Sequence, residues 1–316
     1  MELRIDEHVS LKDKNWFRVG GPARYFCEPL TAKDFKDAFS YARDKNLPFF
    51  VLGHGANVLI SDDGFDGLII HPKHGSISIT QEDAEHIFVT ADAGILMDEL
   101  IEYTLAHNIT GLEVFSAIPG SIGGSAFINL HYFEALISHF LVSAQVIEIA
   151  TGEILDVDTA WFGFGYNQSK LMERKHCLIN ATLKLKKSSD VETAFAKGRR
   201  LEITRHRISR YPSSYTCGSF FRNFHADEVT LVVNDKKIIW IAYYLDKIGV
   251  KGSLSVGKVR VSHQHANMLV SHDEATAADI VTLARTMQEL VRKEFGIIPQ
   301  PECIFVGFNE YPLLQK

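Results

Sequence analysis

Val51-Leu52-Gly53-His54-Gly55-Ala56-Asn57-Val58-Leu59 and, about 65 residues later, Ile118-Pro119-Gly120-Ser121-Ile122-Gly123-Gly124 decide how this chain is read. Each is a Gly-rich turn set against an apolar run. Glycine lets backbone N–H groups come up to a ligand that any Cβ would hold off. Successive N–H groups in a tight turn form a nest for phosphate oxygens. Two such nests point to one large ligand with a pyrophosphate, held between two lobes. Neither turn has the G-x-G-x-x-G spacing of a Rossmann loop or the terminal Lys of a Walker loop. A dinucleotide held outside those two folds is a flavin sooner than a nicotinamide nucleotide.

Working outward, 316 residues exceed one comfortable core, so two or three domains are expected. The net charge of −6 argues against a nucleic-acid partner. No apolar stretch is long enough to span a bilayer. Met1 to Glu7 lacks the basic-then-apolar layout of a secretory signal, so a cytoplasmic enzyme is the expectation. Cys27, Cys177, Cys217 and Cys303 are scattered without a C-x-x-C pair, which implies neither a zinc cage nor a disulfide scaffold. His263 and His265 form an H-x-H pair with no Cys or carboxylate at ligand spacing, so no metal is expected.

Along the chain, Ala23 to Glu28 reads as a strand, and Thr31 caps a helix through Phe35, Ala38 and Tyr41. Pro48 to Leu52 is a buried strand that delivers the first Gly turn. Gly67 to His71 is another strand. Ile87 to Ala91 reads as a strand, Leu96 to His107 as an amphipathic helix, and Ala144 to Ile149 with Thr151-Gly152-Glu153 as a hairpin. Leu178 to Leu185 alternates like a strand, and Val191 to Ser209 reads as a charged helix. Strands are expected near Ser219–Arg222 and Lys258–Val261. A long helix is expected over Ala277–Phe295, capped by Thr276 and ended by Gly296. Short strands mixed with helices point to α+β lobes instead of a doubly wound sheet. The expected division is 1–72 and 73–187 as two lobes, 188–301 as a third domain, and 302–316 as a segment packing back on the lobes.

Taken in order, these motifs resemble the UDP-N-acetylenolpyruvoylglucosamine reductase family, from Asn15 to Gly307. Gly53 to Leu59 is similar to the family's first flavin loop. Gly111 to Asn129 is similar to its G-L-E…G-I-P-G-T-V-G-G-A…N segment. Cys217-Gly218-Ser219-Phe220-Phe221-Arg222-Asn223 is similar to A-G-S-x-F-K-N. Val261 to Asn267, followed by Ala275 to Asp279, resembles V-S-x-x-H-A-N…A-T-A-x-D. Glu302 stands at the position of the family's C-terminal catalytic Glu. The short path from Tyr166 to Ser219 resembles the subclass without an inserted substrate-covering loop. The resemblance implies a two-lobed FAD-binding domain of the PCMH/vanillyl-alcohol-oxidase-like type with a C-terminal α+β substrate domain. It implies FAD as cofactor, NADPH as hydride donor, a UDP-sugar substrate, and a monomer with no nucleic-acid or membrane partner. The reaction it implies gives UDP-N-acetylmuramate from UDP-N-acetylglucosamine enolpyruvate in peptidoglycan precursor synthesis.

Hydride addition to an enol ether conjugated to a carboxylate builds negative charge on that carboxylate. Such a site needs cationic or hydrogen-bonding groups there and a proton donor at the other carbon. The resemblance makes Ser219 the proton donor and Glu302 a protonated contact to the carboxylate. It makes Gly53, His54, Gly55, Ala56, Asn57, Val58, Leu59, Pro119, Gly120, Ser121, Gly123, Gly124 and Ala126 cofactor residues. Asn129, Tyr166, Arg222, Asn223, His265 and Asn267 become substrate residues. His54 is read as a loop residue near phosphate, with covalent flavin attachment as the alternative. Cys217 is read as packing, with a reactive thiol as the alternative. The run Arg199, Arg200, Arg205, Arg207 and Arg210 is read as a solvated helix face, with a pyrophosphate contact as the alternative.

The main departure is Asn167, where the family has a catalytic Arg after the Tyr of Y-R-x-S. A neutral amide there replaces a charged fork. Either Lys170, Arg174 or another cation replaces it, or the protein no longer runs the family reaction well. A large His131 follows Asn129, Trp16 replaces a small hydroxyl residue, and Gln300 replaces a common Glu. Rival readings are a flavoprotein of the same fold acting on another nucleotide sugar or alcohol, and an FAD-binding protein without turnover.

Overall fold

The structure is a computed structural model that describes residues 3–73 and 75–315. Met1 and Glu2 of the N-terminal stretch read above lie outside the described residues. The chain forms two compact units. One comprises Met1–Glu7, Tyr25–His54 and Gly67–Arg207. The other comprises His8–Arg24, Gly55–Asp66 and Ile208–Lys316. Both are discontinuous in sequence, whereas the expected division at 72, 187 and 301 is contiguous.

In the first unit, α1 (Ala32–Asp44) begins at a capping box. Thr31 accepts from the Asp34 N–H, and the Asp34 carboxylate accepts from the Thr31 N–H. Its apolar stripe of Phe35, Ala38, Phe39 and Ala42 packs with Cys27, Leu68, Ile70, Ile147, Cys177 and Ile179. The strand Phe49–Val51 runs parallel to Phe65–Ile70, with Phe49 opposite Leu68 and Val51 opposite Ile70. These two end a four-stranded sheet ordered Ile5–Ser10, Pro22–Cys27, Phe65–Ile70, Phe49–Val51.

A larger antiparallel sheet runs Ile154–Asp158, Leu141–Glu148, His176–Lys187, His86–Asp92, Ile77–Glu82. His86–Asp92 buries every second residue, as the pleat of a sheet with one covered face requires. The covering elements are α2 (Met97–Ala106) and α3 (Ile122–Ile128), whose Leu100, Ile101, Ile122 and Ala126 join Val89, Ala91 and Leu183 in one core. The helix α4 (Asp190–Arg210) is mostly exposed. Ion pairs hold it: Arg199 with Glu113, whose side chain is fully buried, and Arg200 with both Asp98 and Glu102.

In the second unit, α5 (Ile241–Lys247) and α6 (Ala277–Phe295) pack with a small antiparallel sheet of Ser255–Val256, Val259–Val261 and Leu269–Ser271. Thr276 and Asp279 form the capping box of α6, and the Asp62 carboxylate accepts from the N–H groups of Ala277 (2.8 Å) and Ala278 (2.9 Å). Gly296 ends α6 in the left-handed region at φ 73. The strand Ile304–Val306 runs parallel to Val58–Ile60, so the C-terminal segment pairs with the strand that follows the first Gly turn. Gln288, fully buried on α6, donates to the carbonyls of Pro299 (2.7 Å) and Leu314 (3.1 Å) and accepts from the Leu314 N–H. No helix among the described residues is long and apolar enough to cross a membrane.

Candidate active site

The first unit brings the two Gly-rich turns together. A Cβ built on Gly53 would lie 2.6 Å from the Ser121 Oγ and 3.9 Å from the Gly124 N. That hydroxyl is occupied as the cap of α3, accepting from the Gly124 N–H at 3.2 Å. The N–H groups of Ile122 and Gly123 bond the carbonyls of Ile95 and Ala93. What this turn can offer a phosphate therefore lies ahead of the helix, at Gly120 and Ser121. A Cβ on Gly120 would find only the Ser125 Oγ, at 3.7 Å, so its backbone face is open. These residues fit a cofactor carried on backbone groups. Pro119, Gly123, Gly124 and the buried Ala126 belong to the same turn and helix.

The rest of the first turn belongs to the second unit. Gly55 sits at φ 68, where a Cβ would strike the Lys14 carbonyl at 2.2 Å, and its own carbonyl accepts from the Trp16 N–H. Ala56 continues this turn. Asn57 donates from Nδ2 to the Glu302 carbonyl (3.3 Å), and its backbone carbonyl accepts from the Ile304 N–H (3.1 Å). Val58 and Leu59 pair with Ile304 and Phe305.

Ser219 and Glu302 come together in that unit. Residues 219–222 lie between two neighbours, with Ser219 bridged to Met268 on one side and Phe221 to Pro301 on the other. The Glu302 N–H donates to the Phe220 carbonyl at 2.9 Å, one residue from Ser219. Gly218 precedes the serine at φ 78 with open space where a Cβ would be. The expected strand Ser219–Arg222 is thus made of isolated bridges in place of a regular ladder. Beneath it, the Cys217 thiol is held well above its ordinary range, first by burial and then by Cys303 and Glu302 beside it. A protonated, buried thiol is a poor nucleophile, in keeping with the packing reading of Cys217.

Several expected substrate residues have their polar groups occupied within the protein. Asn267 is buried. Its Oδ1 accepts from the Phe221 N–H (3.0 Å) and its Nδ2 donates to the Phe221 carbonyl (2.7 Å). Asn223 accepts from the Ile241 N–H at the start of α5. Arg222 makes a two-pronged pair with Glu228, both bonds 2.8 Å. Asn129 is buried at φ 50, donates to the Gly165 carbonyl (3.0 Å) and accepts from the Ser138 N–H (3.3 Å). All four hold backbone groups of the protein itself. His265 accepts the Asn267 N–H at Nδ1 (3.3 Å), and burial lowers its pKa.

Tyr166 and Asn167 top a tight turn closed by Gly165 and Gln168. Tyr166 is exposed and its ring lies 5.0 Å from that of His131. Asn167 sits at φ 50, and its buried Oδ1 has no hydrogen-bond partner. The two cations nearest in sequence are engaged elsewhere, with Lys170 over the Trp161 ring (4.6 Å) and Arg174 over the Phe50 ring (5.3 Å). In the basic run of α4, Arg199, Arg200 and Arg205 pair with carboxylates, and Arg207 donates to the Ala117 carbonyl and covers the Tyr132 ring. His131, which the sequence marks by its size, is the ring beside Tyr166.

Residues 23–158 match the FAD binding domain family, and residues 210–306 match the C-terminal domain of UDP-N-acetylenolpyruvoylglucosamine reductase. The chain is 33% identical to the UDP-N-acetylenolpyruvoylglucosamine reductase of Gloeobacter violaceus, over 97% of this chain and 98% of that one. It is 28% identical to the enzyme of that name from Clostridium novyi, over 96% and 92%. The crystal structure of the reductase MurB from Thermus caldophilus superposes with a TM-score of 0.75 at 25% identity, covering 96% of this chain and 99% of that one. The fold is accordingly α+β, an FAD-binding domain joined to the C-terminal domain of that family.

Proposed function

The chain belongs to the UDP-N-acetylenolpyruvoylglucosamine reductase family, and on that premise we propose that it reduces UDP-N-acetylglucosamine enolpyruvate to UDP-N-acetylmuramate with NADPH as donor. FAD would be held by Gly53 to Leu59 and Pro119 to Ala126, and would supply the hydride transfer between NADPH and the enolpyruvyl double bond. The chain's own residues supply the rest. Ser219 gives its hydroxyl proton to the carbon that does not receive hydride, so one hydride and one proton saturate the bond. Glu302 contacts the substrate carboxylate. The observation that carries this reading is the bond from the Glu302 N–H to the Phe220 carbonyl, which sets the two candidate groups on adjoining segments.

The finer assignments belong to the same proposal. Gly53 to Leu59 and Pro119 to Ala126 hold the cofactor. Tyr166 and His265 face the substrate, while Asn129, Arg222, Asn223 and Asn267 position backbone. Asn167 stands where the family has Arg, and the protein is of the subclass without the inserted loop. It works in the cytoplasm as a monomer.

Asn167 also favours a second reading, in which a flavoprotein of this fold acts on another nucleotide sugar or alcohol. The test is anaerobic. FAD-loaded protein is reduced with NADPH, and flavin absorbance is followed as UDP-N-acetylglucosamine enolpyruvate is added. Rapid reoxidation with formation of UDP-N-acetylmuramate is the expected result. Reduction without reoxidation overturns the first reading in favour of the second.

A further inference from the structure

Two turns of the first unit meet around one buried amide. Asn129 bonds Gly165 with its Nδ2 and Ser138 with its Oδ1. It thereby ties the 165–168 turn to the 3-10 turn Ile137–His139, which follows the hairpin His131–Tyr132/Ala135–Leu136. Ser169, also buried, adds a bond to the Phe127 carbonyl of α3 at 2.6 Å. The consequence is a fixed pair of rings, His131 and Tyr166, 5.0 Å apart at 49°, beside Asn167. Among the described residues, no hydrogen bond from the protein reaches either nitrogen of the half-buried His131 ring. The Asn167 Oδ1 is buried and unpaired. Among the described residues, no hydrogen bond to the protein engages its Nδ2 either, the donor of that amide. Asn129, Phe133 and Asn167 are all held in the left-handed region, and Phe133 is 80% exposed there. An aromatic residue in that conformation is held against its preference, which is common beside ligand sites.

We infer that His131 binds the carboxylate of the substrate and takes up a proton as it does so, with the Asn167 amide fixing the carboxylate's orientation. The inference rests on the function proposed above. Alone, the imidazole is kept neutral by burial, which lowers its pKa with no contribution from a neighbouring charge. An anion within hydrogen-bond reach reverses that preference. The groups around it leave the role open. Arg207 and His206 of α4 both meet Tyr132, not His131. Glu113, in the turn packed against His131–Tyr132, is already paired with Arg199. Glu134 is exposed at the hairpin tip. No guanidinium is needed at 167 if the cation comes from the adjoining hairpin.

The test is proton-linked binding, measured by calorimetry in two buffers of different ionisation enthalpy at about pH 7. The ligands are UDP-N-acetylmuramate, which carries the carboxylate, and UDP-N-acetylglucosamine, which lacks it. Wild-type holoprotein is expected to take up protons with the first and not the second. His131→Asn and His131→Gln should abolish the uptake and weaken binding of the first about tenfold, the equivalent of one pKa unit of linkage. In the double variant His131→Asn/Asn167→Arg, binding should recover without proton uptake. Binding by wild type without uptake, or uptake that persists in both His131 variants, overturns the inference while leaving the reductase reading intact. Absence of binding overturns both.

Discussion

Asn167 illustrates how backbone conformation selects a side chain. At φ 50 it lies in the left-handed region, where Asn is tolerated and longer side chains are strained. Asn167→Arg therefore has two opposed effects. The strain should cost about 1 kcal/mol of stability, seen as a lower denaturant midpoint. In the His131→Asn background, the restored charge should raise kcat with the enolpyruvyl substrate. Unchanged turnover with folding and flavin intact would count against a site of the family type. Asn267 has a different kind of importance. Its amide satisfies both backbone groups of the buried Phe221, two residues from Ser219. Asn267→Ala leaves a buried N–H and carbonyl unpaired, at about 1–3 kcal/mol each. The expected outcome is a loss of about 2–4 kcal/mol in urea unfolding, together with a lower kcat. A loss under about 1 kcal/mol would mean that water replaces the amide.

The two Gly-rich turns make a testable pair at the level of elements. A methyl at Gly53 must displace the Ser121 Oγ, and moving that hydroxyl breaks the cap of α3. Gly53→Ala should cost about 1 kcal/mol and weaken FAD retention, as should Ser121→Ala. The two costs should not add, because removing the hydroxyl removes the clash. Additive costs in the double variant would show that the turns do not touch. Some elements were legible because the local code suffices. The limits of α6 follow from Thr276, Asp279, Gly296 and its apolar stripe, and the structure returns the same span, Ala277–Phe295. The pairing of Ile304–Val306 with Val58–Ile60 was not legible, since no local signal names a parallel partner so distant in sequence. Within the site, the Gly turns and Ser219 stood out by motif. The occupation of Asn129, Arg222, Asn223 and Asn267 did not, because it depends on which backbone groups the fold leaves unpaired.

At the scale of the whole molecule, the four cysteines are placed as built-in reporters. Cys27 and Cys177 belong to one core in the first unit, and Cys217 and Cys303 to one core in the second. All four are free and buried. Burial pushes the thiols of Cys27 and Cys177 up to about 12, so at about pH 8 the thiolate is roughly one part in ten thousand even before access is considered. The folded protein should therefore resist iodoacetamide at all four positions. With increasing urea, each thiol becomes reactive only when its core opens, so labelling mapped by mass spectrometry follows each unit separately. Cys27 should label with Cys177, and Cys217 with Cys303, each pair sharing one midpoint. One midpoint for all four would mean that the units unfold as a single cooperative body. Cys217 labelling in native buffer, ahead of Cys303, would mean that the segment carrying Ser219 opens by itself and that the serine is not held rigidly for proton transfer.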